Sequence, residues 1–260
     1  MTNSRHDPNT PGQPSPLTTT VGRDLRTPRI ALAVGAHPDD VEFGAGGTLA
    51  KWAAHGCAIH HVVLTDGSKG TWDPDADTAA LVVSRQREQV EAHRRLGGTG
   101  ETHVVFCGRV DGELVADTDL RSEVARVIRQ VKPDVVLGHD PWKRYRLHPD
   151  HHAAGRVVCD AIVAARDPHF HRDHGLAPHR PSELLLWEAD EVDHVEDITT
   201  SLETKLWALE AHESQFESTM HATDEAALDA FRQRVRDRSA DIGTLISVEA
   251  GEAFHRIDRL

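Results

Sequence analysis

Residues Ile30–Asp40 read IALAVGAHPDD, a short apolar run that ends abruptly in a histidine, a proline and two adjacent aspartates. From Ile30 to Ala36 the run does not alternate with polar residues. That is the pattern of a parallel strand buried on both faces, and not of a hairpin strand with one wet face. The polar tip, His37-Pro38-Asp39-Asp40, then sits where such a strand leaves the sheet.

The flanking sequence extends this pattern. A glycine-rich turn, Gly44 to Gly47, leads into a helical segment that closes at Gly56. Ala58–Thr65 reads as a second strand, Thr102–Cys107 as a third, Asp134–Gly138 as a fourth and Glu183–Trp187 as a fifth. Helices are expected over 78–96, 120–131, from just after His151 through 165, 201–210 and 225–238. Strands alternating with helices predict an α/β fold, Rossmann-like, with a mostly parallel sheet, helices on both faces and right-handed crossovers. Residues 1–28 hold five prolines among Ser, Thr and Asn without apolar periodicity, and read as a disordered lead-in. Residues 29–260 read as a single domain, of which 185–260 is expected to form a smaller C-terminal lobe.

Composition excludes several classes of function. The formal net charge of -13 over 260 residues argues against a nucleic-acid backbone or an anionic membrane as partner. No apolar run is long enough for a membrane span, and the N-terminus lacks the apolar core of a secretory signal. Cys57, Cys107 and Cys159 form no CxxC pair, as expected of reduced thiols in the cytoplasm. A dinucleotide site is not expected, because Gly44-Ala-Gly46-Gly47 is not GxGxxG and comes too late after the strand. The expected partner is a small molecule, and a homo-oligomer is compatible with the composition.

In an open parallel sheet, functional groups gather beyond the carboxyl ends of the strands near the point where strand order reverses. The first strand ends in His37-Pro-Asp-Asp40, the second in Thr65-Asp66 and the fourth in His139-Asp140. Imidazole and carboxylate are good ligands for a divalent transition ion, and one of the two neighbouring aspartates could hold it while the other faces a water. His148 and His151, just before a helix, could supply one more ligand and one free imidazole. The plainer alternative is that Asp39, Asp40 and Asp150 are helix caps. The histidines at 169, 171, 174 and 179 form a loop cluster for which a solvated surface is the plainer reading. Trp72, Trp142 and Tyr145 lie in loops where aromatic rings could stack on a sugar or anchor the loop.

Ala36-His-Pro-Asp-Asp40, Gly46-Gly-Thr-Leu49 and His148-Pro-Asp-His-His-Ala-Ala-Gly155 together closely resemble the LmbE-like, or PIG-L, deacetylases. Further stretches are similar: Asp66-Gly-Ser, Arg85-x-x-Glu88, Asp111-Gly112, and Lys205 through His212-Glu-Ser-Gln215. The resemblance implies a zinc-dependent enzyme, with iron(II) able to replace zinc, that removes an N-acetyl group from an N-acetylglucosamine-type sugar or small glycoconjugate. It implies His37, Asp40 and His151 as metal ligands and Asp39 as the general base acting on zinc-bound water. It makes His148 the oxyanion stabiliser and general acid, oriented and kept protonated by Asp150. Arg85 would contact the sugar, with Asp66, Asp111 and His212 as further substrate-binding candidates. Two alternatives keep the metal but change the role: an amidase of a larger thiol-sugar conjugate, and a non-catalytic metal-containing sugar-binding protein. Two histidines and one carboxylate also occur in non-haem iron oxygenases, though usually on an all-β scaffold.

Overall fold

The computed structural model describes residues 21–100 and 103–260. Eight strands form one sheet: β1 (Gly22–Arg23), β2 (Ile30–Gly35), β3 (Ala58–Thr65), β4 (Val104–Arg109), β5 (Val135–His139), β6 (Glu183–Trp187), β7 (His194–Asp197) and β8 (Gly251–Ile257). Six α-helices cover it: α1 (Asp40–Ala54), α2 (Thr78–Arg95), α3 (Thr118–Val131), α4 (Pro149–Arg166), α5 (Leu202–Leu209) and α6 (Glu225–Gly243). Their spatial order is β1-β7-β8-β6-β5-β2-β3-β4. Every pairing is parallel except those that β8 makes with β6 and β7.

The apolar run of β2 is buried on both faces, as its composition requires. Leu32 and Val34 join a core with Leu120, Val124 and Ile128 of α3 and Val157, Val158 and Ile162 of α4. Ala31 and Ala33 point the other way, into a core with Leu49 and Trp52 of α1, Leu137, Trp187 and Phe254. A third, smaller cluster gathers Leu209, Met220, Leu228 and Phe231.

Several expectations are revised. The helix after β2 begins at Asp40, directly on the polar tip, earlier than expected; the expected glycine-rich break falls inside it as a kink, where Ala45 leaves helical φ/ψ between Gly44 and Gly46. Those glycines serve close packing: a Cβ on Gly44 would lie 2.5 Å from the Trp187 ring, and one on Gly47 2.8 Å from Ile198 Cδ1. The stretch expected as a C-terminal lobe supplies β6, β7 and β8 to the same sheet and adds the satellite cluster. Residues 1–20 of the expected lead-in lie outside the described residues, while Gly22 and Arg23 pair with His194 and Val195 as an edge strand.

Candidate metal centre

Strand order reverses at β2. The chain runs β2 to β3 to β4 on one side, then returns to place β5 on the other. The carboxyl ends of β2 and β5 are therefore neighbours, and a crevice opens beyond them. His37, Asp39 and Asp40 leave the tip of β2, His139 ends β5, and His151 lies in the first turn of α4. Together they line a cavity of about 910 Å³ with Arg85, His148 and Glu188.

Asp40 lies at the centre of this group. Its Oδ2 is 3.2 Å from His37 Nδ1 and its Oδ1 is 3.4 Å from His151 Nε2. Nitrogen and oxygen ligands at about 2.0–2.1 Å in a tetrahedron stand roughly 3.3 Å apart. The donor atoms of His37, Asp40 and His151 all lie within 4.8 Å of one another, so the chain presents a His₂Asp set that fits a divalent ion. The outer nitrogens are also held, as metal-binding imidazoles require. His37 Nε2 lies 3.1 Å from Asp150 Oδ2 and 3.3 Å from Asp111 Oδ1, and His151 Nδ1 faces Glu188 Oε2 at 3.4 Å. Trp187 Nε1 donates to His139 Nδ1 at 3.0 Å, which leaves His139 Nε2 to donate to Asp40 Oδ2 at 3.2 Å. Burial opposes a charged His37, yet its bonds to Asp111, Asp150 and Asp40 prevail and hold its pKa up at about 12. Without an ion, a protonated His37 balances the carboxylates that converge here.

Asp39 is adjacent to these donors but does not belong to them. It is buried, carries a positive φ of 106°, and its carboxylate faces Arg85 Nη2 at 3.4 Å. Burial pushes its pKa up to about 6; Arg85 pulls it down and Asp40 pushes it up again. Arg85 is itself 3% exposed and also donates to Gly67 O at 3.0 Å and Pro38 O at 2.5 Å.

His148 is exposed at the N-cap of α4, with its ring centroid 4.6 Å from that of His37 and 5.0 Å from that of His151. Its partner is not the expected one. Asp150 is fully buried, and accepts from Gly112 N at 2.7 Å and Leu114 N at 3.1 Å as well as from His37. Among the described residues no hydrogen bond joins it to His148. Burial, followed by the His37 and His151 imidazoles, lowers the His148 pKa. The helix N-terminus disfavours a cation there too.

The remaining substrate candidates lie further back. Asp66 braces the turn, accepting from Ser68 N at 3.0 Å and Asp111 N at 3.1 Å. Asp111 lines the cavity, but one oxygen faces His37 and the other accepts from Lys69 N at 3.1 Å. His212 is fully buried and reaches Glu42 Oε2 at 3.2 Å, behind the cavity. The expectations missed Glu188, Trp187, Gln89 and Glu42. None of the four falls in a motif; Glu42 follows Asp40 by two residues and Trp187 and Glu188 lie at the end of β6, while only the fold brings Gln89 of α2 beside them. Of the loop histidines, His171 and His174 group with Asp173 on the surface, away from this cavity.

A family model described as PIG-L, GlcNAc-PI de-N-acetylase, matches residues 32–162. The chain belongs to the PIG-L family. Its relatives include a diacetylchitobiose deacetylase of Thermococcus kodakarensis, 36% identical over 188 residues that cover 71% of this chain and 69% of that one. A 1D-myo-inositol 2-acetamido-2-deoxy-alpha-D-glucopyranoside deacetylase of Streptomyces avermitilis is 33% identical over 177 residues, 59% of either chain. The N,N'-diacetylchitobiose deacetylase of Pyrococcus horikoshii, solved with an inhibitor, superposes with a TM-score of 0.80 at 28% identity, covering 89% of this PIG-L chain and 84% of its own. These relatives are named deacetylases of N-acetylglucosamine-type compounds. Among the described residues no helix is long and apolar enough to cross a membrane.

Proposed function

We propose that this PIG-L protein hydrolyses the N-acetyl amide of an N-acetylglucosamine-type sugar or small glycoconjugate, with His37, Asp40 and His151 holding a divalent ion, zinc or iron(II). Asp39 carries this reading. A metal that only braces a fold has no use for a buried, strained, non-ligating carboxylate beside its ligands. A bound ion would supply Lewis acidity, which makes water nucleophilic at neutral pH and draws charge from a carbonyl oxygen.

The chain's own residues divide the rest of the work. Asp39, with its pKa raised to about 6, takes the proton of the attacking water and is acidic enough to return it to the departing nitrogen. Burial and the His37 and His151 imidazoles favour the neutral form of His148, which presents an N–H to the oxygen that gains charge. This shifts the acid role expected of His148 towards Asp39. Arg85 keeps Asp39 company as a fixed counter-charge and leaves the sugar to other groups. The cavity of about 910 Å³ lies at the upper end of ligand pockets and favours a glycoside with a second ring or a sizeable aglycone over free N-acetylglucosamine.

The test is a panel of N-acetylated sugars and glycosides assayed for free amine with and without added zinc, on wild type and Asp39→Asn. Zinc-dependent amine release is expected from the wild type. Asp39→Asn should keep stoichiometric metal and lose turnover by at least about 10²-fold. Full turnover in that variant would remove Asp39 as the base.

A further inference from the structure

Asp39 does not keep its strained backbone unaided. A non-glycine residue at φ 106° holds about 1–3 kcal/mol of strain and persists only where its surroundings fix it. One side of the residue is fixed by its own helix, since Phe43 N donates to Asp39 O at 3.1 Å. The preceding peptide is fixed by Arg85 on Pro38 O. Its own N–H points into the protein, where Gln89 Oε1 accepts it at 3.0 Å.

Gln89 is fully buried in the middle of α2, and no motif includes it. Its amide is oriented without ambiguity. Nε2 donates to Glu42 Oε1 at 2.9 Å, and a carboxylate can only accept. Glu42 is fully buried as well; its other oxygen faces His212 Nε2 at 3.2 Å. His61 closes the group, with Nδ1 3.3 Å from Gln89 Nε2. Behind Asp39, which lines the cavity, the chain of Gln89, Glu42 and His212 lies behind the cavity wall and lines none of it.

We infer that Gln89, oriented by Glu42 and His212, is the positioning residue that holds Asp39 in its strained conformation with the carboxylate facing the reacting water. The inference rests on Asp39 acting as the base, and it gives His212 a role it could not have as a substrate contact. Without Gln89 Oε1 the buried Asp39 N–H has no partner, and the residue relaxes towards negative φ, which swings its carboxylate away. The metal ligands are fixed by other partners, so the ion should stay.

The experiment is a double-mutant cycle on the zinc-loaded full chain, with N,N'-diacetylchitobiose and a second glycoside from the panel as substrates, joined to a crystal structure of the Gln89 variant. Gln89→Met keeps the volume and removes the acceptor. The expected result is a kcat lower by about 30- to 100-fold, KM within threefold and metal content unchanged. In the Asp39→Asn background the same substitution should change kcat by less than twofold, because the base it positions is already gone. Gln89→Glu combined with Glu42→Gln restores the acceptor for Asp39 N–H while keeping one amide donor facing one carboxylate, and should recover most of the lost kcat. The crystal structure of Gln89→Met should show residue 39 at negative φ. If Gln89→Met does not fold, Gln89→Asn, one methylene too short to reach, takes its place with the same expectations. Multiplicative losses in the cycle would make Gln89 a general stability residue and overturn the inference. So would an unmoved Asp39 in the variant structure, a readout that needs no turnover. Unchanged turnover in Asp39→Asn alone would instead overturn the assignment of the base.

Discussion

Asp39 and Asp40 are neighbours of identical chemistry, and the backbone alone separates their roles. Asp40 opens α1 and turns its carboxylate to His37, His139 and His151, whereas Asp39 at φ 106° turns to Arg85. The motif was legible in the sequence; which oxygen meets which nitrogen was not. The same limit explains the missed pairing of Asp150. His148 is the extended N-cap of α4 and Asp150 lies in the first turn; their polar atoms come within 4.8 Å, but Asp150 spends its oxygens on His37, Gly112 N and Leu114 N. The metal-free protein offers a check on Asp39. Its folded pKa of about 6 lies above the ordinary 3.8, so its contribution to stability is full below pH 3.8 and is lost as pH rises through 6. Asp39→Asn cannot ionise. In chelator-treated protein its melting temperature should therefore gain on the wild type between pH 4 and 7, by up to about 3 kcal/mol or roughly 5–10 °C. A difference that does not vary with pH would show that Asp39 is not held in a desolvated site.

Among the elements, long periodic helices and the strands β2, β3, β5 and β6 were readable because burial on both faces leaves a mostly apolar run in each. Strand β7 was not. It reads His-Val-Glu-Asp, a surface composition, yet His194 and Glu196 are buried against each other at 2.8 Å and Lys51 reaches Glu196 at 2.6 Å. Ion pairing inside the sheet hides a strand from any hydrophobic pattern. Strand β8 was missed because its register depends on β6 and β7, far away in sequence. Helix α1 was placed too late because glycines usually end helices, whereas here they let Trp187 and Ile198 approach its backbone. Gly44→Ala tests that reading. A methyl group 2.5 Å from a fully buried indole ring must displace it, at a cost of about 1–3 kcal/mol. The expected result is a melting temperature lower by roughly 3–10 °C together with weaker zinc binding by titration, since Trp187 also fixes His139 against Asp40. Unchanged melting and zinc affinity would mean that α1 can shift away from the sheet freely.

At the scale of the whole molecule, 19 histidines made any single one uninformative in sequence, and among the described residues two buried groups of them meet opposite surroundings. Those at the strand tips meet carboxylates. A second group packs between α2 and the β3–β4 edge of the sheet and meets almost none. The His60 and His103 rings lie 4.1 Å apart, His61 and His93 4.6 Å, and among the described residues both nitrogens of His93 and Nε2 of His61 are buried without a partner. Burial, then neighbouring imidazoles, pushes His60 and His93 down to about 4 and His61 well below its ordinary 6.5. The sign follows from linkage: these side chains stay neutral in the fold while the unfolded chain takes up protons from pH 6.5 downwards. Stability is therefore full above pH 6.5 and is lost as pH falls from 6.5 towards 4. For each fully buried histidine the slope is about 1.4 kcal/mol per pH unit. His93→Gln, which cannot ionise, should reduce the fall in stability over that window by about that slope, measured as urea midpoints at successive pH values on chelator-treated protein. The His93 ring packs closely against Gly98, so the slope and not the absolute stability is the readout. Equal slopes in the two proteins would place the acid sensitivity elsewhere, in the strand-tip histidines that share carboxylates with the metal centre.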